Sequence, residues 1–326
     1  VVDAGEVTRM DSAGLALLVK LRCQAGRDGV AFEVRGLAEG YRRLLERFDP
    51  DTLDRSRSAP AVVEGLAEQV GRTTARMGLD LREQVAFIGE LTAALARAVV
   101  RPWTIRGRDF WLSAERSGVD ALPIVVLISG LVGLVLSFQS AMAMRPYGAE
   151  IYVANLVTLA MLRELGPLMT AIILAGRSGG AFAAELWTMK VNDEVSALST
   201  LGLQPVAFLV VPRVLGLMVT IPLLTLFANL AGVMGGSVMF LTLDYPLSAY
   251  FRQSLEVAEL RHLLSGLVKS VAFGVTLAGV GCLRGLRAAR GPSAVGQATT
   301  SAVVTSILLI VVIDAVLGTV FYFLGF

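Results

Sequence analysis

From Ala121 to Met144 the chain reads ALPIVVLISGLVGLVLSFQSAMAM, without a single charge. At about 1.5 Å of helical rise per residue this run measures roughly 36 Å, enough to cross a bilayer with some tilt. Four further apolar stretches come after it. Ile151 to about Gly176 is interrupted only by Arg163 and Glu164; the next is bracketed by Arg213 and Asp244 and holds Pro222, where a tilt or kink is expected. A fourth runs from about Leu263 to Leu283 with Lys269 inside it, and a fifth from about Ser301 to the C-terminus with Asp314 inside it. With 55% hydrophobic residues, 17% charged and a mean hydropathy of +0.67, the chain reads as a mainly α-helical polytopic membrane protein of about five transmembrane helices.

The charge is concentrated before residue 119, so the first third is solvated. No basic run carries interleaved aromatics, which argues against nucleic acid as a partner. Cys23 lies in the polar third and Cys282 in an apolar stretch, so both are expected to be free thiols in a reducing cytoplasm. The chain opens at Val1 with no signal peptide, and the first apolar segment comes after residue 120, so a sizeable domain is expected to stay on the side of synthesis. Orientation is set by the short loops. Arg101, Arg106, Arg108 and Arg116 before the first span, the segment from Arg177 to Arg213 with Lys190, and Arg284, Arg287 and Arg290 are placed inside. Only Arg145, Arg252 and Arg261 fall outside, which puts the N-terminus in the cytoplasm and the C-terminus on the far side.

An ionisable group at mid-bilayer costs at least about 2.5 to 3.5 kcal/mol, so Arg163, Glu164, Lys269 and Asp314 need partners, a wet cavity or both. Counted along their helices the four fall at similar depth and form one polar layer. Arg163 and Glu164 are neighbours about 100° apart on a helix and cannot neutralise each other on one face. A Lys269–Asp314 tie between helices, with Arg163 reaching outward, is the plain structural alternative to a polar cavity lining.

Gly176, Gly180 and Ala184 recur every four residues, a small stripe suited to close helix packing. No phosphate loop is present: the three lysines follow Val19, Met189 and Val268, whereas such a loop needs Gly-Lys before Ser or Thr. VNDEVSALSTLGLQP reads as a short amphipathic helix capped by Asn192, with Asp193 and Glu194 in its first turn, an apolar stripe of Val195, Leu198 and Leu201, and a stop at Gly202 and Pro205. Such an element between two spans either docks a cytoplasmic partner or lies in the headgroup layer.

RELGPLMTAIILAGRSGGAFAAELWTMKVNDEVSALSTLGLQPVAFLVVPRVLGLMVTIPLL, with VDALPIV before it and GPSAVGQATTSAVV after it, resembles the MlaE-type permease of ABC lipid transporters. The resemblance covers roughly Glu90 to the end. It implies a homodimer with about five spans per half, driven by a pair of cytoplasmic ATPases that carry the ATP and Mg, and working with a periplasmic MCE-domain protein. It also implies that VNDEVSALSTLG is the coupling helix to the ATPase and that Arg163 and Glu164 line the lipid cavity. GELTAALARAVVRPWTIRGRDFWLSAERSG mixes apolar residues, arginines and Trp103, Phe110 and Trp111, the makeup of interfacial helices broken at Pro102.

The first fifty residues read as strand, turn, amphipathic helix (Leu15, Leu18, Val19), strand and a second helix, a partial α/β unit. MDSAGLALL resembles the strand-to-helix turn of STAS domains, which implies a phosphorylation or partner-contact site at Asp11 and Ser12; either residue also suits a helix N-cap. Too few strands are present for a whole domain, so further strands before Val1 are expected. Residues 48 to 60 read as linker, and residues 62 to 91 as a helix after it. The organisation is therefore a partial STAS-like domain (1–50), a linker with membrane-interface helices (51–118) and a permease domain (119–326).

His262 is the single histidine and sits at the external end of the fourth span, so neither a metal site nor a Ser-His-Asp triad is expected, and the chain itself is read as a non-enzyme with no cofactor. The expected function is a permease subunit of the inner membrane that moves a phospholipid or related lipid to or from an MCE protein. Two other classes remain open: an ion-coupled secondary transporter whose buried charges carry protons or anions, and a membrane-anchored STAS regulator.

Overall fold

The architecture comes from a computed structural model describing residues 2–5, 7, 10–27, 29–47, 82, 84–98, 100–101, 107–242, 245–289, 291 and 293–325. The chain divides into two units, Val1–Gly78 and Leu79–Phe326. The linker at 48–60 and, apart from residue 82, the part of the expected helix at 62–91 up to residue 83 lie outside the described residues.

In the first unit, β1 (Val2–Asp3) pairs in parallel with β2 (Val34–Arg35), Val2 opposite Val34 and Asp3 opposite Arg35. Parallel neighbours need a crossover, supplied by α1 (Ser12–Arg27). Asp11 takes a capping role: its Oδ1 accepts the Gly14 N–H at 2.9 Å. Leu18 of α1 and Leu45 of α2 (Glu39–Arg47) are buried, and Arg22 Nη1 donates to the Leu45 carbonyl at 3.1 Å. Gly36, at φ +76°, lies so close to Gly5 that a Cβ would sit 2.5 Å from its Cα. The strand-helix-strand-helix order expected from sequence is present.

The second unit is helical. Residues 84–98 form α3, whose Phe87, Leu91, Ala94 and Ala98 recur at helical spacing and are buried. The expected break at Pro102 lies outside the described residues. Helix α4 (Gly107–Gly118) joins α5 (Leu122–Met144) through a 3-10 turn at Val119–Ala121. Among the described residues five helical runs are long and apolar enough to cross a membrane: Gly107–Tyr147, Glu150–Val191, Val206–Thr242, Leu260–Arg287 and Ala294–Phe323. Their backbone bonds close within each run, as lipid requires.

The second span departs from expectation. It continues past Gly176 to Val191 as α6 (Val153–Ala160), α7 (Gly166–Leu174) and α8 (Gly180–Val191), joined by widened π-helical turns at Met161–Leu165 and Ala175–Gly179. Charges expected in a loop are held instead by neighbouring helices: Arg177 pairs with Asp120 at 3.0 Å, and Glu185 with Arg213 at 2.8 Å. Proline explains the first widened turn. Pro167 has no N–H and its ring crowds the carbonyl four residues back, so the turn opens and the Gly166 N–H reaches the Met161 carbonyl, five back. The turn at Val206–Val210, just before Pro212, repeats the pattern. Each widened turn adds a residue and shifts the phase of the helix beyond it. The small stripe is accordingly Gly179 and Ala183, not the series through Gly176: a Cβ on Gly281 would lie 2.7 Å from the Gly179 carbonyl, and one on Gly285 would lie 2.6 Å from that of Ala183.

A short helix, α9 (Glu194–Thr200), links the second span to α10 (Val211–Thr242), which continues through Pro222 and packs against α4, α5 and α7 and against α12 (Leu260–Arg287). Backbone meets backbone between α5 and α10, where a Cβ on Gly133 would fall 1.9 Å from the Gly232 carbonyl. Helix α13 (Ala294–Phe323) closes the bundle against α12 and α8.

Helix α11 (Leu247–Val257), between the third and fourth spans, plugs the bundle with fully buried Tyr250, whose hydroxyl donates to the Val233 carbonyl at 2.9 Å. Burial pushes its phenol up to about 12. The unfolded chain releases that proton near pH 10, so the stability contributed by the neutral phenol is complete below pH 10 and is lost as pH rises to about 12. Tyr250→Phe is expected to cost about 1 kcal/mol at neutral pH and to flatten that alkaline slope in thermal melts of the detergent-solubilised protein.

Candidate functional site

Lys269 is the feature around which the intramembrane site is built. It sits about a third of the way along α12, and its side chain is only 1% exposed. A buried ammonium is tolerated only with close counter-charges and hydrogen bonds. Two carboxylates supply them: Nζ donates to Glu164 in the first widened turn and lies 3.0 Å from Asp314 Oδ1 on α13. Three spans are thereby tied by one cation. The Glu164 side chain is 44% exposed against 18% for Asp314, so the group is sealed on the fifth-span side and open at Glu164.

One glycine in particular permits this geometry. A Cβ at Gly266, one turn before Lys269, would lie 2.1 Å from the Leu162 carbonyl, so only glycine lets α12 press against the widened turn. One turn beyond Asp314, a Cβ on Gly318 would make only ordinary contact with Lys269 Nζ (3.4 Å) and Glu164 Oε1 (3.8 Å), so the strict need for glycine is at Gly266.

Arg163 points elsewhere. Its Nη1 donates to His262 Nδ1 at 3.3 Å, a geometry that requires the Nε2–H tautomer of the ring. His262 was passed over in the sequence because it stands alone at a span end. The signal was its spacing: His262, Gly266 and Lys269 recur on one face of α12, so the adjacent Arg163 and Glu164 each find a partner on the same helix. The four charges of the expected polar layer thus resolve into a Glu164–Lys269–Asp314 triad and a separate Arg163–His262 contact.

The second candidate element is α9. Asn192 closes α8 instead of capping α9. The N-cap is Asp193, the one described non-glycine residue with positive φ (59°), and no side chain caps the helix. Gly202 at φ +75° ends it, and the Leu203 N–H returns to the Leu198 carbonyl at 3.0 Å. Val195 and Leu198 turn inward against the main core, while Asp193, Glu194 and Leu201, the last 75% exposed, face outward. The stripe expected as one docking face is therefore divided between anchoring and display.

Helix α8, which carries α9, is fastened on two sides. Trp187 Nε1 and Lys190 Nζ donate to the carbonyls of Ala289 and Ala288, each at 2.9 Å, just past the end of α12. On the other side Arg213 grips Glu185, donates from Nη1 to the Leu209 carbonyl, and lies over the Phe182 ring at 5.9 Å. In the first unit Asp11 is engaged as the α1 cap; the Ser12 and Cys23 side chains lie outside the described residues. Cys282 is a buried free thiol.

A family model described as "Permease MlaE" matches residues 110–320, and one described as "Mlab, STAS domain" matches residues 1–64. A probable ABC transporter permease protein of Rickettsia typhi is 40% identical over 196 residues, covering 60% of this chain and 76% of the relative. Another from Rickettsia bellii is 33% identical over 261 residues, 79% of this chain and 98% of the relative. The intermembrane phospholipid transport system permease protein MlaE of Haemophilus influenzae is 30% identical over 211 residues, 64% of this chain and 80% of the relative.

Proposed function

The chain belongs to the MlaE permease family, with a STAS domain at its N-terminus, and from that premise we propose that it is the inner-membrane subunit through which an ABC transporter moves phospholipid to or from a periplasmic MCE-domain protein. In this reading two copies form the permease, cytoplasmic ATPase subunits bind and hydrolyse ATP with Mg, and the present chain catalyses no reaction. The N-terminus lies in the cytoplasm and the C-terminus in the periplasm, as the distribution of arginines between loops favours.

One observation carries the reading: the segment matched to the permease family contains both an exposed short helix between spans and a triad of charges gathered round the buried Lys269 from three other helical segments. An ATPase closing on Asp193, Glu194 and Leu201 would push α9, which follows α8 directly, against the main core through Val195 and Leu198. The fastenings at Ala288, Ala289 and Arg213 make α8 move with its neighbours and do not let it bend alone. Load then passes along the second span to its widened turn, where Glu164 meets Lys269. The open side of Glu164 faces the headgroup or its water, and the charge supplied by Lys269 and Asp314 sets how polar that lining is.

The test is reconstitution with the cognate ATPase in vesicles, tracking transfer of fluorescent phospholipid and the rate of ATP hydrolysis together. Leu201→Asp with Glu194→Lys is expected to lower both by at least about tenfold, as loss of a buried interface anchor does, with no change in melting temperature. Lipid movement that runs on a proton gradient with no ATPase present would replace this reading with ion-coupled transport. Retention of cellular function after exchanging the spans for an unrelated anchor would replace it with a regulator.

A further inference from the structure

One groove of the second unit plays no part in the mechanism above. It has a volume of about 740 Å³, within the range of small-molecule sites, and lies between the end of α3 and the entry to the third span. Its floor is apolar, with Ala207, Phe208, Val211 and Pro212 contributed by the third span. Its other wall is the small-residue face of Ala94 and Ala98. Arg97 and Arg101, one helical turn apart, stand on the α3 side, and among the described residues no carboxylate lines the groove. Arg97 is exposed, with its Nε engaged at the Ala93 carbonyl (3.2 Å).

We propose that this groove binds an anionic phospholipid of the cytoplasmic leaflet, its phosphate on Arg97 and Arg101 and an acyl chain along Ala207, Phe208 and Val211. Guanidinium groups match phosphate oxygens in geometry as well as charge, and their stems lie along apolar surface while the heads stay at the headgroup level. The apolar floor belongs to a membrane-spanning helix, within reach of a lipid chain. The inner leaflet is also where anionic lipid is concentrated. Because Leu203 and Gln204, immediately after α9, line the same groove, a lipid seated there bridges α3 and the coupling loop and is a regulatory ligand instead of cargo. The leaflet assignment rests on the orientation proposed above; the groove and its charge do not.

The experiment uses the full chain, purified in mild detergent and equilibrated with equal amounts of phosphatidylglycerol and phosphatidylcholine of the same chain length, with retained lipid counted by native mass spectrometry. Phosphatidylglycerol is expected to be preferred by at least about fivefold, and Arg97→Gln with Arg101→Gln to remove the preference. Ala207→Trp, which fills the floor and leaves both arginines in place, is expected to do the same. Excess inorganic phosphate is expected not to displace the lipid, because the chain contributes to binding. An unchanged preference in either variant overturns the proposal, as does displacement by phosphate. Variants that keep the lipid but shed the ATPase subunits would make the groove a protein contact and overturn it too. Leaflet is read separately: Ala93→Cys, in a chain with Cys23→Ser and Cys282→Ala, is expected to resist an impermeant maleimide in intact cells. External labelling there removes the leaflet assignment and the proposed orientation together, while the lipid preference in detergent stands on its own.

Discussion

Replacing Lys269 by Met is expected to abolish lipid transfer and to lower the stability of the solubilised protein by about 3–5 kcal/mol, the usual cost of removing one partner from a buried charged group. The methionine is close in volume, so packing is largely kept. What is lost is the cation in contact with both Glu164 and Asp314. Asp314, mostly sealed from solvent, would be left with a carboxylate facing it and no compensation from Lys269. The triple change Glu164→Gln, Lys269→Met, Asp314→Asn separates two roles. Removing all three charges together avoids an orphaned ion, so melting temperature and yield are expected to recover to near the parent. If transfer stays absent in the well-folded triple variant, the charges serve the substrate pathway; if transfer returns, they are only a tie between helices and the proposed lining role is lost. Because Glu164 is the exposed member, Glu164→Gln alone is expected to reduce transfer more than stability.

The second large effect concerns the contact between α5 and α10. Gly133→Leu is expected to give no folded protein, seen as loss of the monodisperse peak in size-exclusion chromatography. A Cβ there would lie 1.9 Å from the Gly232 carbonyl and 2.6 Å from its carbon, both backbone atoms that cannot rotate away. The reciprocal site is as tight: a Cβ on Gly235 would fall 2.0 Å from the Gly130 carbonyl. In lipid, where water does not drive apolar faces together, such close backbone contact is a main source of helix association. Separating the two helices also frees Ser137, whose hydroxyl donates to the Gly236 carbonyl at 2.8 Å, so a hydrogen bond is lost with the packing. Gly176→Leu is the matched control: nothing lies within 4 Å of the Cβ it would add, and the protein is expected to fold.

The five crossings were legible because hydropathy over twenty residues is a strong signal, and the first-unit order was legible because period-two and helical patterns alternate over short distances. The features hidden in the sequence depend on rotation about helix axes. Lys269 and Asp314 could be placed at one depth, but that Lys269 also takes Glu164 depends on Gly266 admitting the widened turn. Arg177, Glu185 and Lys190 resembled the charges of a loop. They stay helical because their partners, Asp120, Arg213 and the Ala288 carbonyl, come from distant parts of the chain. Likewise Val195 and Leu198 share a stripe with Leu201 in sequence, and only the core beneath α9 distinguishes which of them is anchored.

The two widened turns of the second span have a consequence for how such a chain tolerates change in length. An ordinary membrane helix that loses one residue rotates everything beyond the deletion by about 100° and rarely survives it. Here two surplus residues are already stored, at Met161–Leu165 and Ala175–Gly179. Deleting one of these would tighten its turn to α-helical pitch and leave the segments on either side facing their present partners, whereas a deletion elsewhere in the span would turn one half against the other. The second span is thus indexed like the shaft of a combination lock: its azimuth comes in discrete steps, and the present setting is the one that delivers Glu164 to Lys269 and Gly179 to Gly281 at once.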